Sequence, residues 1–400
     1  MFGKKNKRVY LDWAAATPLS EQAFLAMEPF LRTEFGNPSA IHKEGVLSRQ
    51  AVENARVQVA GSVQVRPEFV TFTGGGTEGN NLVIFGVVEA LYRQGRDYSS
   101  MEVITTRIEH PSIGKIMGRL EELGVKVKYV RVDGIGRVEL SHLREILSEK
   151  TVLVSCAYAN SEIGTVQALH SIRKVIREAE EQNGSNIYFH VDAAQAPLWL
   201  PCQFDSVGAD FLVLDATKCC GPKGIGVVVR SRRAEILPIM FGGGQEQGLR
   251  PGTENVSGIV GAGVAFREAQ SAWRERVEKV SEVRNGGIKL LLETIPGAVL
   301  NGGEGEFRLA NNINISIPGL DTEYTVVVLD SKGFAVSTKS ACAGAGGGES
   351  VVVGEISADS ARASSTLRLS LGPDTKEEDL RELANVLATH INQMQKLTRY

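Results

Sequence analysis

The chain reads as an α/β protein: a large domain on a mainly parallel seven-stranded sheet, followed by a smaller α+β domain. Three features predict this. Short apolar runs alternate with amphipathic stretches, the pattern of a sheet covered by helices. Several of the runs are β-branched along their length, as expected of strands buried on both faces. From about Val256 that alternation stops and a long helical pattern takes over. The 400 residues also exceed what one hydrophobic core usually supports, so a large domain with a satellite is expected. The expected boundaries are 1–20 for an N-terminal segment packing on the small domain, 21–262 for the large domain and 263–400 for the small one.

Taken in order, the strand candidates are Phe69–Phe72, Val103–Thr105, Val125–Val130, Val152–Ala157, Ile187–Val191, Phe211–Leu214 and Ile225–Val229. Between them Glu78–Tyr92, Ser112–Leu123 and Ile172–Glu181 carry the 3.6-residue apolar spacing of helices packed on a sheet. The second block is expected to hold a helix over Val277–Leu292, a strand over Asn312–Ile317, a helix near Thr322–Lys332 and a terminal helix over Lys376–Gln395. No internal repeat is present. The low-complexity segment is the Ala-Gly run at 343–348.

Apolar residues make up 42% and charged residues 23%, ordinary for a globular protein, and the formal charge of −3 gives no reason to expect nucleic acid or an anionic membrane as partner. The basic opening Met-Phe-Gly-Lys-Lys-Asn-Lys-Arg lacks the apolar stretch of a secretory signal. Val256–Phe266, the longest nearly apolar stretch, is too short to span a bilayer. A soluble, cytoplasmic protein is expected. Five cysteines, at 156, 202, 219, 220 and 342, are an odd number without the paired spacing of a zinc site, so no metal is expected. Cys156 and Cys202 read as small hydrophobes, and adjacent Cys219 and Cys220 as buried packing rather than ligands.

Three segments carry chemistry. In Thr71-Phe-Thr-Gly-Gly-Gly-Thr-Glu-Gly-Asn-Asn81 a strand ends, three glycines turn the backbone and a helix begins near Thr77. The free N–H groups and helix dipole of such a junction favour a phosphate. Neither a Walker nor a dinucleotide spacing is present, and alone the turn leaves a phosphate seat and a purely geometric role both open. In His190-Val-Asp-Ala-Ala-Gln195 an acidic residue ends a buried strand. An unpaired carboxylate there is costly, so Asp192 calls for a cationic partner such as a protonated pyridine, unless it caps a helix. In Asp215-Ala-Thr-Lys218-Cys-Cys-Gly-Pro a lysine follows an apolar strand, where desolvation suits it to form a Schiff base. A surface lysine at a strand end is the plainer alternative.

These segments, with Glu109-His110, Asn160-Ser-Glu-Ile-Gly164 and Arg250-Pro-Gly-Thr253, stand in an order that resembles the class V aminotransferase superfamily and, more narrowly, its cysteine desulfurases. The resemblance runs from Tyr10-Leu-Asp-Trp-Ala-Ala-Ala-Thr-Pro18 to Leu367-Arg-Leu-Ser-Leu-Gly372. It implies the fold type I architecture of enzymes that use pyridoxal 5′-phosphate (PLP). It implies Lys218 as the Schiff-base lysine, Asp192 as the carboxylate facing the pyridine nitrogen, Gln195 at the ring hydroxyl and His110 as a catalytic residue stacked on the ring and relaying protons. Asn160 falls beside cofactor and substrate, and Gly76 and Thr77 in the phosphate cradle. Thr253 matches a threonine that reaches the phosphate from a partner subunit, which implies a homodimer. Arg368, helped by Asn37, matches the grip on the substrate carboxylate.

Ser337-Thr-Lys-Ser-Ala-Cys342 with its glycine run resembles the mobile segment of long-loop desulfurases. Cys342 sits where their nucleophile does, and Lys339 is close enough in sequence to favour its thiolate. The expected reaction takes L-cysteine to L-alanine and leaves a persulfide on Cys342 for an acceptor protein serving iron–sulfur assembly or tRNA thiolation. The chain departs from the family at Asp215 and Thr217, where a serine and a histidine usually contact the phosphate. Thr217 keeps a hydroxyl donor, whereas an ionised Asp215 repels a dianion, so weaker cofactor binding is expected. Two other readings accommodate the departures: a divergent paralogue acting mainly as a protein partner, and a selenocysteine lyase or other β-eliminating enzyme.

Overall fold

The computed structural model describes residues 8–338 and 348–397. Seven strands form the central sheet: β2 (Val70–Thr73), β3 (Glu102–Thr105), β4 (Lys126–Tyr129), β5 (Thr151–Ala157), β6 (Tyr188–Asp192), β7 (Phe211–Asp215) and β8 (Gly226–Arg230). They lie in the order β2-β8-β7-β6-β5-β3-β4. Every pairing is parallel except the two made by β8, which runs against both β7 and β2. All seven expected apolar runs fall in this sheet, and most are buried along their whole length because helices cover both faces.

The helices Gly76–Arg93, Pro111–Glu122 and Leu169–Asn183 stand where the spacing predicts them. Among the helices that were not predicted are Glu21–Arg32 and Lys43–Val63. Both pack on the helix Val256–Ser271. The buried side of Lys43–Val63 consists of Gly45, Ser48, Val52, Ala55, Arg56, Val59, Ala60 and Val63. Five of these eight are small or polar, so the apolar stripe is faint in sequence.

The second block contains β9 (Val299–Leu300), β10 (Asn312–Ser316) and β12 (Thr366–Ser370), an antiparallel sheet in the order β12-β10-β9. The helices Trp273–Thr294, Thr322–Ser331 and Glu377–Leu397 accompany it. The N-terminal β1 (Val9–Tyr10) pairs in parallel with β11 (Phe334–Ala335), and Asp12 bridges to Ser370. No helix among the described residues is long and apolar enough to cross a membrane.

Candidate active site

In an open parallel sheet the strands' carboxyl ends converge on one edge, where ligands collect. Here β5, β6 and β7 end there at Ala157, Asp192 and Asp215. The glycine turn after β2 joins them because β2, although antiparallel to β8, runs in the same sense as β7. Between these ends lies a cavity of about 210 Å³. Of the residues singled out in the sequence, Gly76, Thr77, His110, Asn160, Asp192, Gln195, Asp215, Lys218 and Arg368 line it.

Asp192 is buried at the cavity floor and accepts hydrogen bonds from Asn80 Nδ2 at 2.8 Å and the Ala194 N–H at 2.9 Å. Burial raises its pKa, against those two hydrogen bonds and the positive influence of His110. A cationic ligand would favour the ionised form. Asn80 Nδ2 also donates to Ser112 Oγ at 2.9 Å, and Ser112 holds His110. The Ser112 N–H donates to His110 Nδ1 at 3.1 Å, which leaves the neutral imidazole's proton on Nε2. Burial lowers the pKa of His110 and so favours that neutral form. Beneath it Glu109 accepts from Thr106 Oγ1 at 2.7 Å and from the Ala157 N–H at 2.9 Å. Its pKa is pushed up to about 8, first by burial and then by the charge of Asp192.

Lys218 projects from the turn after β7, and its Nζ donates to the carbonyl of Ala15. Gln195 Nε2 donates to the neighbouring Ala14 carbonyl at 2.9 Å. The N-terminal segment therefore forms one wall of the site, pinned by Thr17 Oγ1 donating to the Thr217 carbonyl at 2.8 Å. Arg368, on β12, donates to Asp12 Oδ1 at 2.9 Å and to the Ser161 carbonyl at 3.1 Å. Its buried Nε has no hydrogen-bond partner among the described residues. Asn160 ties its own loop to the one that carries Ile108. Its Nδ2 donates to the Ile108 carbonyl at 2.8 Å, and its Oδ1 accepts from Glu162 and Ile163 N–H at 2.9 and 3.0 Å.

At the other end, Gly75 turns the chain at φ +141° into the helix Gly76–Arg93, a conformation that favours glycine. A β-carbon on Gly226 of β8 would come within 2.4 Å of the Gly75 backbone, so Gly226 is needed for the approach and Gly75 for the turn. Gly76 donates its N–H to Asp215 Oδ2 at 3.1 Å, and Asp215 Oδ1 accepts from the Thr217 N–H at 2.9 Å.

Three expected residues do not line the cavity. Asn37 Oδ1 accepts from the Ser39 N–H within its own turn. The Thr217 backbone serves Asp215 and Thr17. Thr253 lies on the loop that Arg250 ties to Glu78, at 3.0 Å, beside the glycine turn. Cys342 and Lys339 fall outside the described residues. The flanks of their segment are anchored nonetheless. Ser337 exchanges backbone hydrogen bonds with Arg368 at 2.7 and 3.1 Å, and Ser350 Oγ donates to Glu162. Cys156, Cys202 and Cys219 are buried, and burial pushes their thiols up. No metal-binding cluster occurs among the described residues.

Asn80, Glu109 and Asp12 escaped the sequence reading. Asn80 carried a signal, since it lies one helical turn beyond Gly76 and so on the same face. Asp12 carried none, because its partner Arg368 comes from the far end of the chain.

Sheet order and site together define the fold type I architecture of PLP-dependent enzymes, and the chain belongs to the class V aminotransferase family, which it matches over residues 9–383. It is similar to the cysteine desulfurase IscS of Dictyoglomus turgidum, 37% identical over 99% of this chain and 97% of that protein. A Clostridium botulinum cysteine desulfurase IscS is 36% identical over 98% and 96%. Among solved structures, a NifS-like protein superposes with a TM-score of 0.87 at 31% identity, covering 96% of this chain and 99% of the other. SspA in complex with cysteine gives 0.76 at 30%, covering 91% and 99%.

Proposed function

We propose that this chain is a PLP-dependent cysteine desulfurase that passes the sulfur of L-cysteine to Cys342 and releases L-alanine. One arrangement carries the reading: Lys218, Asp192, Gln195 and His110 share a cavity beside which both flanks of the Cys342 segment are fixed, one to Arg368 and one to Glu162. The ring end of that cavity fits PLP. Asp192 is a buried carboxylate whose raised pKa asks for a cation, and a pyridinium N–H supplies one. When bound, PLP contributes an aldehyde that condenses with an amine and a ring that withdraws electrons from the substrate Cα.

The chain's own residues do the rest. Asp192, steadied by Asn80, holds the proton on the pyridine nitrogen. Lys218 would hold the cofactor through its amine, and the same Nζ would take the Cα proton of the substrate. The Arg368 guanidinium is held by Asp12 with its Nε left for the substrate carboxylate. The Cys342 thiolate attacks the substrate Sγ. An S–S bond forms as the Cβ–Sγ bond breaks, and that bond's electron pair with a proton completes the methyl group of alanine. Cys342 is the fourth residue after Thr338, a reach of at most about 14 Å of extended chain. An acceptor protein, as iron–sulfur assembly or tRNA thiolation provides, then removes the sulfur.

We further propose a cytoplasmic homodimer in which Thr253 serves the partner's site. The decisive experiment mixes protein, PLP and cysteine, then measures alanine and a 32-dalton sulfur adduct (roughly, one sulfur atom added to a thiolate) on the Cys342 peptide. Cys342→Ala should keep the cofactor absorbance and lose at least about 100-fold in alanine production. Full turnover by that variant rules out Cys342 as the nucleophile. Borohydride that leaves Lys218 unlabelled rules out the cofactor assignment.

A further inference from the structure

The seat that the glycine turn offers to an anion is already taken by a residue of this chain. Gly75, the N-cap of the helix Gly76–Arg93, has no side chain with which to cap it. The cap comes instead from Asp215, across the sheet, through its 3.1 Å contact with the Gly76 N–H. The second carboxylate oxygen is fixed by the Thr217 N–H at 2.9 Å, so the group is held at both ends. It also lies against the turn, because a β-carbon on Gly76 would sit 3.3 Å from Asp215 Oδ2. The other carboxylate here, Glu78, is neutralised by Arg250 at 3.0 Å and bonded to the Gly74 N–H at 2.8 Å. The seat opens into the cavity that holds Lys218.

A helix N-terminus presents about half a positive charge and a few N–H groups. One carboxylate largely consumes both. A phosphate monoester brings close to two negative charges at neutral pH, which here would meet an acceptor-only side chain on the same N–H. We propose that Asp215 is an internal occupant of the phosphate seat. On that account the chain takes up pyridine-4-carbaldehydes largely through the ring and Lys218, discriminating weakly between PLP and its dephosphorylated form, pyridoxal. This rests on the assignment of Lys218 as the Schiff-base lysine.

The test titrates the apoprotein with PLP and with pyridoxal in parallel, follows the visible absorbance, and confirms attachment by borohydride reduction and mapping of the Lys218 peptide. In the wild type the two dissociation constants should lie within about tenfold of each other, and Asp215→Ser should tighten PLP about tenfold or more while moving pyridoxal less than about twofold. Asp215→Asn, which removes the charge and keeps the shape, should shift PLP in the same direction. Inorganic phosphate should compete with PLP in Asp215→Ser and not in the wild type. A wild type that binds PLP more than about 100-fold tighter than pyridoxal overturns the proposal. So does a ratio that neither variant changes, and in both cases a labelled Lys218 leaves the proposed function standing. No labelling of Lys218 by either aldehyde in any of the three proteins overturns both.

Discussion

At Asn80 a single amide nitrogen serves Asp192 and Ser112 at once, joining the buried carboxylate to the serine that orients His110. In the same site the Glu109 carboxyl group is displaced to about 8 from an ordinary 4.5. The folded protein keeps a proton there that the unfolded chain gives up between those two values. The unfolded state therefore binds fewer protons in that window, and stability falls as pH rises from 4.5 to about 8, with no further loss above it. Glu109→Gln copies the neutral acid, its amide donating to Thr106. Its melting temperature should exceed that of the wild type at pH 8 and match it near pH 4.5, with the slope between them reduced. A residual slope from Asp192, also raised by burial, should persist. Calorimetry across that range checks this, and an unchanged slope contradicts it. Lys218 and Asp192 were legible because they stand at or just past strand ends in recognisable local motifs, and His110 because it opens a helix in one. Asp12 and Glu109 act through partners distant in sequence or through burial, neither of which a short motif displays.

At the scale of elements, loops are held by charged groups that the sequence pattern did not flag. The loop after Asn160 is gripped from behind by the small sheet. Arg308 donates to the Ile163 carbonyl at 2.9 Å, and Asn312 and Asn314 each donate to that of Glu162 at 3.0 Å. On the opposite side the helix Lys43–Val63 sends Arg56 into a buried two-point contact with Glu246 at 2.7 and 2.8 Å. Glu246 also accepts from the Phe72 N–H at 2.8 Å, so it ties β2 to the loop carrying Thr253. Removing Glu246 leaves the buried Arg56 with the exposed Glu53 at 3.3 Å and the Val70 carbonyl at 2.9 Å, a weak replacement for the two-point contact. Glu246→Ala should cost roughly 3–5 kcal/mol in urea unfolding, and a cost below about 1 kcal/mol, as for an exposed pair, would show the contact to be idle. Strands and amphipathic helices were readable from periodicity. The helix Lys43–Val63 was not, because a polar, small-residue face meets a small-residue face on Val256–Ser271, and close backbone approach leaves no apolar stripe to see.

At the scale of the molecule, the described chain leaves large apolar side chains in water. Phe35 is 78% exposed, Ile41 93% and Phe241 77%, on segments that flank the helix Lys43–Val63 and precede the Thr253 loop. Exposed apolar groups of this size favour a covered interface, and a twofold pairing would let each Thr253 serve the other subunit's cavity. Co-refolding Lys218→Ala with Thr253→Ala should then regain up to about a quarter of wild-type alanine production, since half the dimers would be hybrids with one intact site each. A mixture no more active than the mean of its two parents excludes the shared site. The sequence alone implied the pairing only by resemblance, because contacts between copies leave no periodic trace within one chain.

The reversed strand β8 has a consequence for how the apoprotein matures. Because β2 reaches the sheet only through β8, with Val70 beside Val229, the glycine turn meets the lysine turn only after everything between them has been synthesised and threaded into place. Such distant pairings form slowly, since the entropy of closing so large a loop must be overcome before any contact repays it. A nascent chain or a truncated one therefore has no half-built receptor in which to trap a reactive aldehyde. Cofactor loading becomes a report that the whole sheet has closed.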